Sequence, residues 1–364
     1  MWSPVVRSTR PFRPLSLVLV TAAVVAACSG SGSGGTSAED APGADQGDAS
    51  TADTSAFPVT VEHAFGETEI TDEPERVVTW GWGSTDAAIA LGVVPVAMPY
   101  GDYGGDDEGV LPWVRQALDD TGAEVPGVLP NVEEPPFEVI AAAQPDMILA
   151  AYSGITEEDY DLLADIAPTV AYPDQPWSTP WRDVIEIVGT SLGRSGEAAG
   201  LLDDIDAAVA EQADAHPELA GKSVAMVWDT PEDFYVYKPV DARVEFTLDL
   251  GLVSAHSVDE LSNGDSTFYY TLSLEQLGAL ESDILVSYAD TPDASDQFLA
   301  SDHAQLMPQV REGRVAEVVG TELIAAVSPP TALSLTWGLD DYVARLSEAA
   351  QAVDTADAEA AGEG

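Results

Sequence analysis

The chain has 364 residues, with 64 acidic against 13 basic side chains and a formal net charge of −51. Such a surface repels nucleic acid, whose binding needs clustered Lys and Arg. It suits an exported, soluble protein or one that steers cationic ligands, and names neither. A single cysteine, Cys28, excludes an internal disulfide framework.

In chain order, Arg7, Arg10 and Arg13 precede an apolar run from Leu15 to Ala27, broken only by Ser16 and Thr21, with no acid before Cys28. A basic start, a short apolar stretch and small residues at the end describe a secretory signal. The run falls short of the roughly 20 apolar residues that span a bilayer. Val25-Ala26-Ala27-Cys28 resembles the lipobox of bacterial lipoproteins, although that pattern prefers leucine where Val25 stands. The resemblance implies cleavage before Cys28 and a diacylglyceryl group on its sulfur. Residues 1–27 are therefore expected to be a lipoprotein signal peptide. Residues 28–56, rich in Ser, Gly, Ala, Thr and Asp, are expected to be a flexible tether.

Beyond the tether, apolar runs alternate with helical patterns. "RVVTW" (76–80), "VVPVAM" (93–98), "DMILAAY" (146–152) and "PTVAY" (168–172) read as buried strands. So do "SVAMVWD" (223–229), "DFYVYK" (233–238), "DILVSY" (283–288) and "RVAEVV" (314–319). Near-continuous apolar strands between helices predict parallel or mixed sheets covered on both faces. Between the two sets, Trp181, Val184, Ile185, Val188 and Leu192 form one helical stripe, with Thr179 as the expected N-cap and Pro180 at the first helical position. Ala198, Leu201, Leu202, Ile205 and Val209 form a second stripe that should stop at His216-Pro217. A final helix places Leu335, Leu339, Tyr342, Val343 and Leu346 on one face, and the polar residues 353–364 are expected to be a disordered tail.

The two halves echo each other. "FEVIAAAQPDMILAAY" and "LEQLGALESDILVSY" each place a glutamate eight residues before an aspartate, Glu138 before Asp146 and Glu275 before Asp283. In each, the glutamate opens a short helix that runs into a buried strand. The ordered series "PERVVTW", "ALGVVPVA", "FEVIAAAQPDMILA", "ADIAPTVAY", "GTSLGRSGEAAGLL", "LDLGLV" and "LSLEQLGALESDILV" resembles the substrate-binding proteins of bacterial ABC importers for ferric siderophores, haem and cobalamin. That resemblance implies two α/β lobes with central mixed or parallel sheets, joined by one long connecting helix. The boundaries follow as 57–192 for the first lobe, 193–217 for the connecting helix and 218–352 for the second. It further implies a monomer, lipid-anchored on the outer face of the cytoplasmic membrane, that is not an enzyme and has no cofactor. Such a protein holds iron only as a chelate and hands it to a permease dimer with its ATPase. Glu138 and Glu275 would be the pair that meets the permease.

Gly189-Thr190-Ser191-Leu192-Gly193 matches the G-x-S-x-G pattern of serine hydrolases, but it falls at the end of an amphipathic helix, where Gly193 suits a C-cap. His63, His216, His256 and His303 are scattered without an H-x-H or H-E-x-x-H spacing, and His63 and His303 read as loop residues. No direct metal site is therefore expected. In α/β sheets, ligands bind at the carboxyl ends of strands. Those ends carry Trp80, Trp82, Tyr100, Tyr103, Tyr152, Trp228, Tyr235, Tyr237 and Tyr288. Aromatic faces with polar edges suit a bulky, partly apolar chelate. Arg243 could donate a forked pair of hydrogen bonds to chelate oxygens, or pair with Asp241 or Glu245 instead. The scarcity of Lys and Arg favours a neutral or cationic hydroxamate-type chelate over an anionic catecholate. A haem or cobalamin carrier of the same fold, or a hydrolase using Ser191, are the alternatives.

Overall fold

The computed structural model describes residues 56–264 and 266–362. Cys28, the leader and most of the tether lie outside the described residues. The chain first makes an antiparallel hairpin of β1 (Val59–His63) and β2 (Gly66–Ile70). The first lobe follows as β3 (Val77–Thr79), α1 (Ser84–Ala90), β4 (Ala97–Met98), α2 (Pro112–Thr121), β5 (Gly127–Val128), α3 (Phe137–Ala142), β6 (Met147–Ala150), α4 (Glu157–Ala164) and β7 (Thr169–Ala171). Its five strands are all parallel in the order β5-β4-β3-β6-β7. The chain thus reverses its winding between β3 and β6, which opens a crevice at their carboxyl ends. β3, β6 and β7 are buried at every position because helices cover both faces of the sheet.

Two helices carry the chain to the second lobe, α5 (Trp181–Ser191) and α6 (Ser195–Ala215). α5 buries the expected stripe of Trp181, Val184, Ile185, Val188 and Leu192. Pro180, not Thr179, occupies its N-cap; Thr179 Oγ1 instead donates to the Ala151 carbonyl at 2.7 Å, tying the helix start to the end of β6. Gly193, at φ 69°, ends the helix in the left-handed conformation expected of a C-cap. α6 then packs so closely that a Cβ on Gly189 would lie 2.4 Å from the Ala198 Cβ. α6 stops before His216-Pro217, as the proline requires.

The second lobe contains β8 (Ser223–Asp229), β9 (Phe234–Tyr237), α7 (Ala242–Asp249), β10 (Val253–Ser254), α8 (His256–Glu260), β11 (Tyr269–Thr271), a 3₁₀ turn at Leu274–Ala279, and β12 (Ile284–Ala289). α9 (Pro292–Ala300), α10 (Pro308–Arg311), β13 (Val315–Val319), α11 (Thr321–Val327) and α12 (Ser334–Gly362) complete it. β8, β12, β13 and β10 run parallel, while β9 and β11 are antiparallel additions at the edge. The fold is therefore two α/β lobes, one parallel and one mixed, joined by a long helix. α12 continues past residue 352, where the tail was expected, because Ala349, Ala350 and Val353 prolong its buried stripe and Lys222 pairs with Asp354 at 2.7 Å.

The internal repeat has a structural meaning. Asp146 accepts from the backbone N–H groups of Glu75 and Arg76, just before β3, at 2.9 and 2.8 Å. Asp283 accepts from the Ser223 N–H and hydroxyl, at the start of β8, at 2.7 and 2.8 Å. In each lobe the aspartate before one central strand pins the start of its neighbour. His63, expected in a loop, is instead a buried residue of β1 whose Nε2 meets Thr68 Oγ1 at 3.0 Å.

Candidate functional site

The floor of the cleft is built where β3 and β6 run out of sheet. Trp80 N–H still donates to the Leu149 carbonyl at 2.8 Å and Trp82 N–H to Tyr152 at 2.9 Å. Gly81 lies between them at φ 84°, and a Cβ there would come within 2.3 Å of the Tyr152 carbonyl. Only glycine allows the two strand ends to approach so closely. The turn aims Trp80 and Trp82 into a recess of about 950 Å³, which Tyr100 and Tyr103 also line. Trp82 Nε1 donates to the Pro329 carbonyl at 3.2 Å, so this indole joins the first lobe to the segment between α11 and α12. Tyr152 closes the crevice beside it, with the exposed ring of Trp177 edge-on at 5.7 Å.

The second wall follows from strand register. Trp228 pairs with Tyr235 across β8 and β9 and with Tyr288 across β8 and β12, and Tyr237 pairs with Tyr269. Side chains alternate along a strand, so these five aromatic residues share one face of the sheet. Tyr288 lies 6.0 Å from Trp228 and 6.2 Å from Tyr237. At 2% exposure it supports those rings from behind, while Trp228 and Tyr235 remain half-buried. Burial, foremost, drives the Tyr288 phenol well above its ordinary range.

Arg243 stands in the first turn of α7, its guanidinium 3.8 Å above the Tyr237 ring. Asp241 caps the same helix and accepts from Arg243 N–H at 3.0 Å and Nε at 2.7 Å. The salt bridge to Asp241 thus exists, but it is a buried pair at the cleft wall rather than a surface one. Burial pushes the Asp241 carboxyl up, against the pull of the Arg243 charge. A second buried carboxylate, Asp86 on α1, accepts from Trp113 Nε1 at 2.5 Å and from Thr331 Oγ1. Burial raises it to about 6 despite those hydrogen bonds.

The predicted residues therefore fall on two walls. Trp80, Trp82 and Tyr100 line the first-lobe recess, and Tyr152 flanks it. Trp228, Tyr235, Tyr237, Arg243 and Tyr288 form the second wall. Tyr103 stands between them, lining the recess while its ring lies 6.4 Å from Trp228. Sequence reasoning missed Trp177, Asp86 and Asp290 as parts of the site, and named Asp241 only as an alternative partner for Arg243. Trp177 sits in a loop without periodicity, and the partners of the carboxylates come from far along the chain.

Glu138 and Glu275 are both exposed, each in the first turn of its helix, α3 in one lobe and the 3₁₀ turn in the other. Ser191 is fully buried in the last turn of α5, its hydroxyl donating to the Ile187 carbonyl at 2.7 Å. It lacks the exposed strand-to-helix turn that a hydrolase nucleophile needs. Among the described residues, no group of three or more His, Cys, Asp or Glu could hold a metal ion, and no helix is long and apolar enough to cross a membrane.

The sequence profile of the family described as "Periplasmic binding protein" matches residues 77–319, from the first strand of the first sheet to the last of the second. The chain belongs to this periplasmic binding protein family. Among family relatives is YhfQ of Bacillus subtilis strain 168, whose name describes an ABC transporter substrate-binding lipoprotein. It is 22% identical over 245 residues, covering 65% of this chain and 72% of that protein. PiaA of Streptococcus pneumoniae TIGR4, crystallised in complex with ferrichrome, is 34% identical with a TM-score of 0.72, over 80% of this chain and 99% of PiaA. A periplasmic solute binding protein from Mycobacterium smegmatis MC2 155 is 28% identical with a TM-score of 0.71, over 80% of this chain and 98% of that one. The shared fold in a periplasmic binding protein accounts for the paired lobes and for the cleft at the strand ends.

Proposed function

We propose that this protein captures a ferric siderophore of hydroxamate type between its lobes and delivers it to an ABC permease. We propose further that Cys28 carries the lipid that holds it on the outer face of the cytoplasmic membrane. The observation that carries the reading is the two-walled aromatic cleft, in a chain 34% identical to a ferrichrome-bound protein. Charge supports the hydroxamate class. The recess lining includes Asp86, Asp102, Glu133, Glu134, Glu158 and Asp159 and contains no Lys, Arg or His. On the opposite wall, the Arg243 charge is already paired with Asp241. The net negative potential here would repel an anionic tricatecholate but not a neutral or cationic chelate.

Glu138 and Glu275 fit the role of permease contacts because they are exposed at matching places on repeated lobes. Trp80, Trp82, Tyr100, Tyr152, Trp228, Tyr235 and Tyr237 would pack the chelate, with Tyr288 behind them, and Arg243 would offer guanidinium N–H groups to chelate oxygens. Iron enters as cargo within its chelate, and no bond chemistry is required of the protein. Tryptophan fluorescence titration against ferrichrome, ferrioxamine B, a ferric tricatecholate, haem and cobalamin tests this reading. Saturable quenching by a hydroxamate chelate is expected. Quenching by haem or cobalamin alone would replace the proposed cargo.

A further inference from the structure

The loop from Pro99 to Leu111, between β4 and α2, is built as a stiff arm. Gly101 N–H donates to the Gly109 carbonyl at 2.8 Å and Asp106 N–H to the Val110 carbonyl at 3.0 Å. The Asp106 carboxylate accepts in return from the N–H groups of Glu108 and Val110, at 2.9 and 3.1 Å, and from Arg115 Nε at 2.8 Å. Asn131 braces Asp102 at 2.6 Å. At the tip, Gly104 sits against the second lobe, where a Cβ would lie 2.7 Å from the Ala325 Cβ and 3.0 Å from the Thr321 carbonyl of α11. Beside it, Tyr103 reaches over the cleft. Its hydroxyl donates to Asp290 Oδ1 at 2.5 Å, just past the end of β12, and its ring meets Trp228.

We propose that Tyr103 and Asp290 form a latch that ties the two walls of the cleft together, with Tyr103 acting as a positioning residue. Its ring separates the first-lobe recess from the aromatic wall of Trp228 and Tyr237. Cargo that is to touch both walls displaces it first. A charge-assisted hydrogen bond is roughly twice as strong as a neutral one, so this contact adds to the Gly104 packing against α11 in holding the two walls together. Apparent affinity scales with the competent fraction, and releasing the latch therefore tightens binding. The consequence for cargo rests on the siderophore reading; the latch itself does not.

The test uses the full chain with spin labels at Asp120→Cys and Asp296→Cys in a Cys28→Ser background, measuring the lobe-to-lobe distance without cargo. Tyr103→Phe keeps the ring and Asp290→Ala removes the acceptor, so both should lengthen and broaden the distance distribution. Asp290→Asn keeps an acceptor oxygen without the charge and should fall between wild type and Asp290→Ala. In stopped-flow mixing with ferrichrome, Tyr103→Phe should associate about threefold faster or more, as expected when a closed form no longer competes. Distances in Tyr103→Phe and Asp290→Ala that match wild type would overturn the latch. If no variant binds ferrichrome while the distances shift as expected, the cargo reading fails and the latch stands.

Discussion

Arg243 holds its guanidinium 3.8 Å over the Tyr237 ring while its Nε donates to Asp241 at 2.7 Å, so one guanidinium serves a helix cap and the cleft wall together. Both partners are buried, with side-chain exposures of 14% and 6%. Removing one member of a buried pair strands the other charge, at a cost of about 3–5 kcal/mol, whereas replacing both is often neutral. Arg243→Ala should therefore lower unfolding stability by several kcal/mol in denaturant titration, and Arg243→Met with Asp241→Asn should recover most of it. The double variant should still bind cargo more weakly, because chelate oxygens lose a charged donor. A stable Arg243→Ala protein with unchanged affinity would remove both roles.

Asp86 gives the protein a pH dependence of definite sign. Its folded-state value of about 6 lies above the ordinary 3.8. The folded protein therefore holds this proton more tightly than the unfolded chain. The stabilisation is complete below about pH 4 and is lost as pH rises through about 6. Asp86→Asn keeps an oxygen for Trp113 and Thr331 and carries no charge. At pH 7.5 it should be more stable than wild type by up to about 3 kcal/mol, and the gap should close by pH 4. Thermal unfolding of both proteins at these two pH values checks it. A variant less stable than wild type at pH 7.5 would show that the ionised carboxylate is well solvated by its donors.

The long strands and the helices α5, α6 and α12 were legible because each buries a continuous run or a regular stripe. The hairpin was not: "VTVEH" and "GETEI" bury only Val61, His63, Thr68 and Ile70, and two of those four are polar. β5 and β10 are two residues long, too short to leave a pattern. At the site, Tyr235 and Tyr237 could be placed on one face by alternation within their strand, whereas Trp228 joins them only through the register of β8 with β9. The latch could not, since Tyr103 and Asp290 are 187 residues apart and meet only when the lobes do. Asp86 meets Thr331 across 245 residues for the same reason.

Membrane retention tests Cys28. Two or three acyl chains, at about 0.8 kcal/mol per buried methylene, anchor a protein far more firmly than one. Expressed in its own host or a related bacterium, Cys28→Ser should be released to the medium or remain uncleaved. Its cleft residues lie far along the chain, so cargo binding should not change. Retention of the variant at wild-type levels would rule out the anchor.

Glu138 and Glu275 stand 137 residues apart in the chain and each precedes by nine residues the start of an equivalent central strand, β6 or β12. Each carboxylate lies in the exposed first turn of its helix, where the dipole alone would contribute about 0.3–1 kcal/mol to stability. If that were their whole role, alanine would cost a little stability and nothing else. As docking residues they would meet arginines on two permease subunits, and charge pairs at such an interface set register and association rate. Glu138→Ala and Glu275→Ala should then leave melting temperature and chelate affinity nearly unchanged while uptake of labelled iron falls. The loss should be greatest in the double variant, because one remaining pair still orients the protein on its permease. Arginine in place of either glutamate should reduce uptake further by opposing like charges. Wild-type uptake by the double alanine variant, at equal protein level, would assign both carboxylates to their helix ends alone.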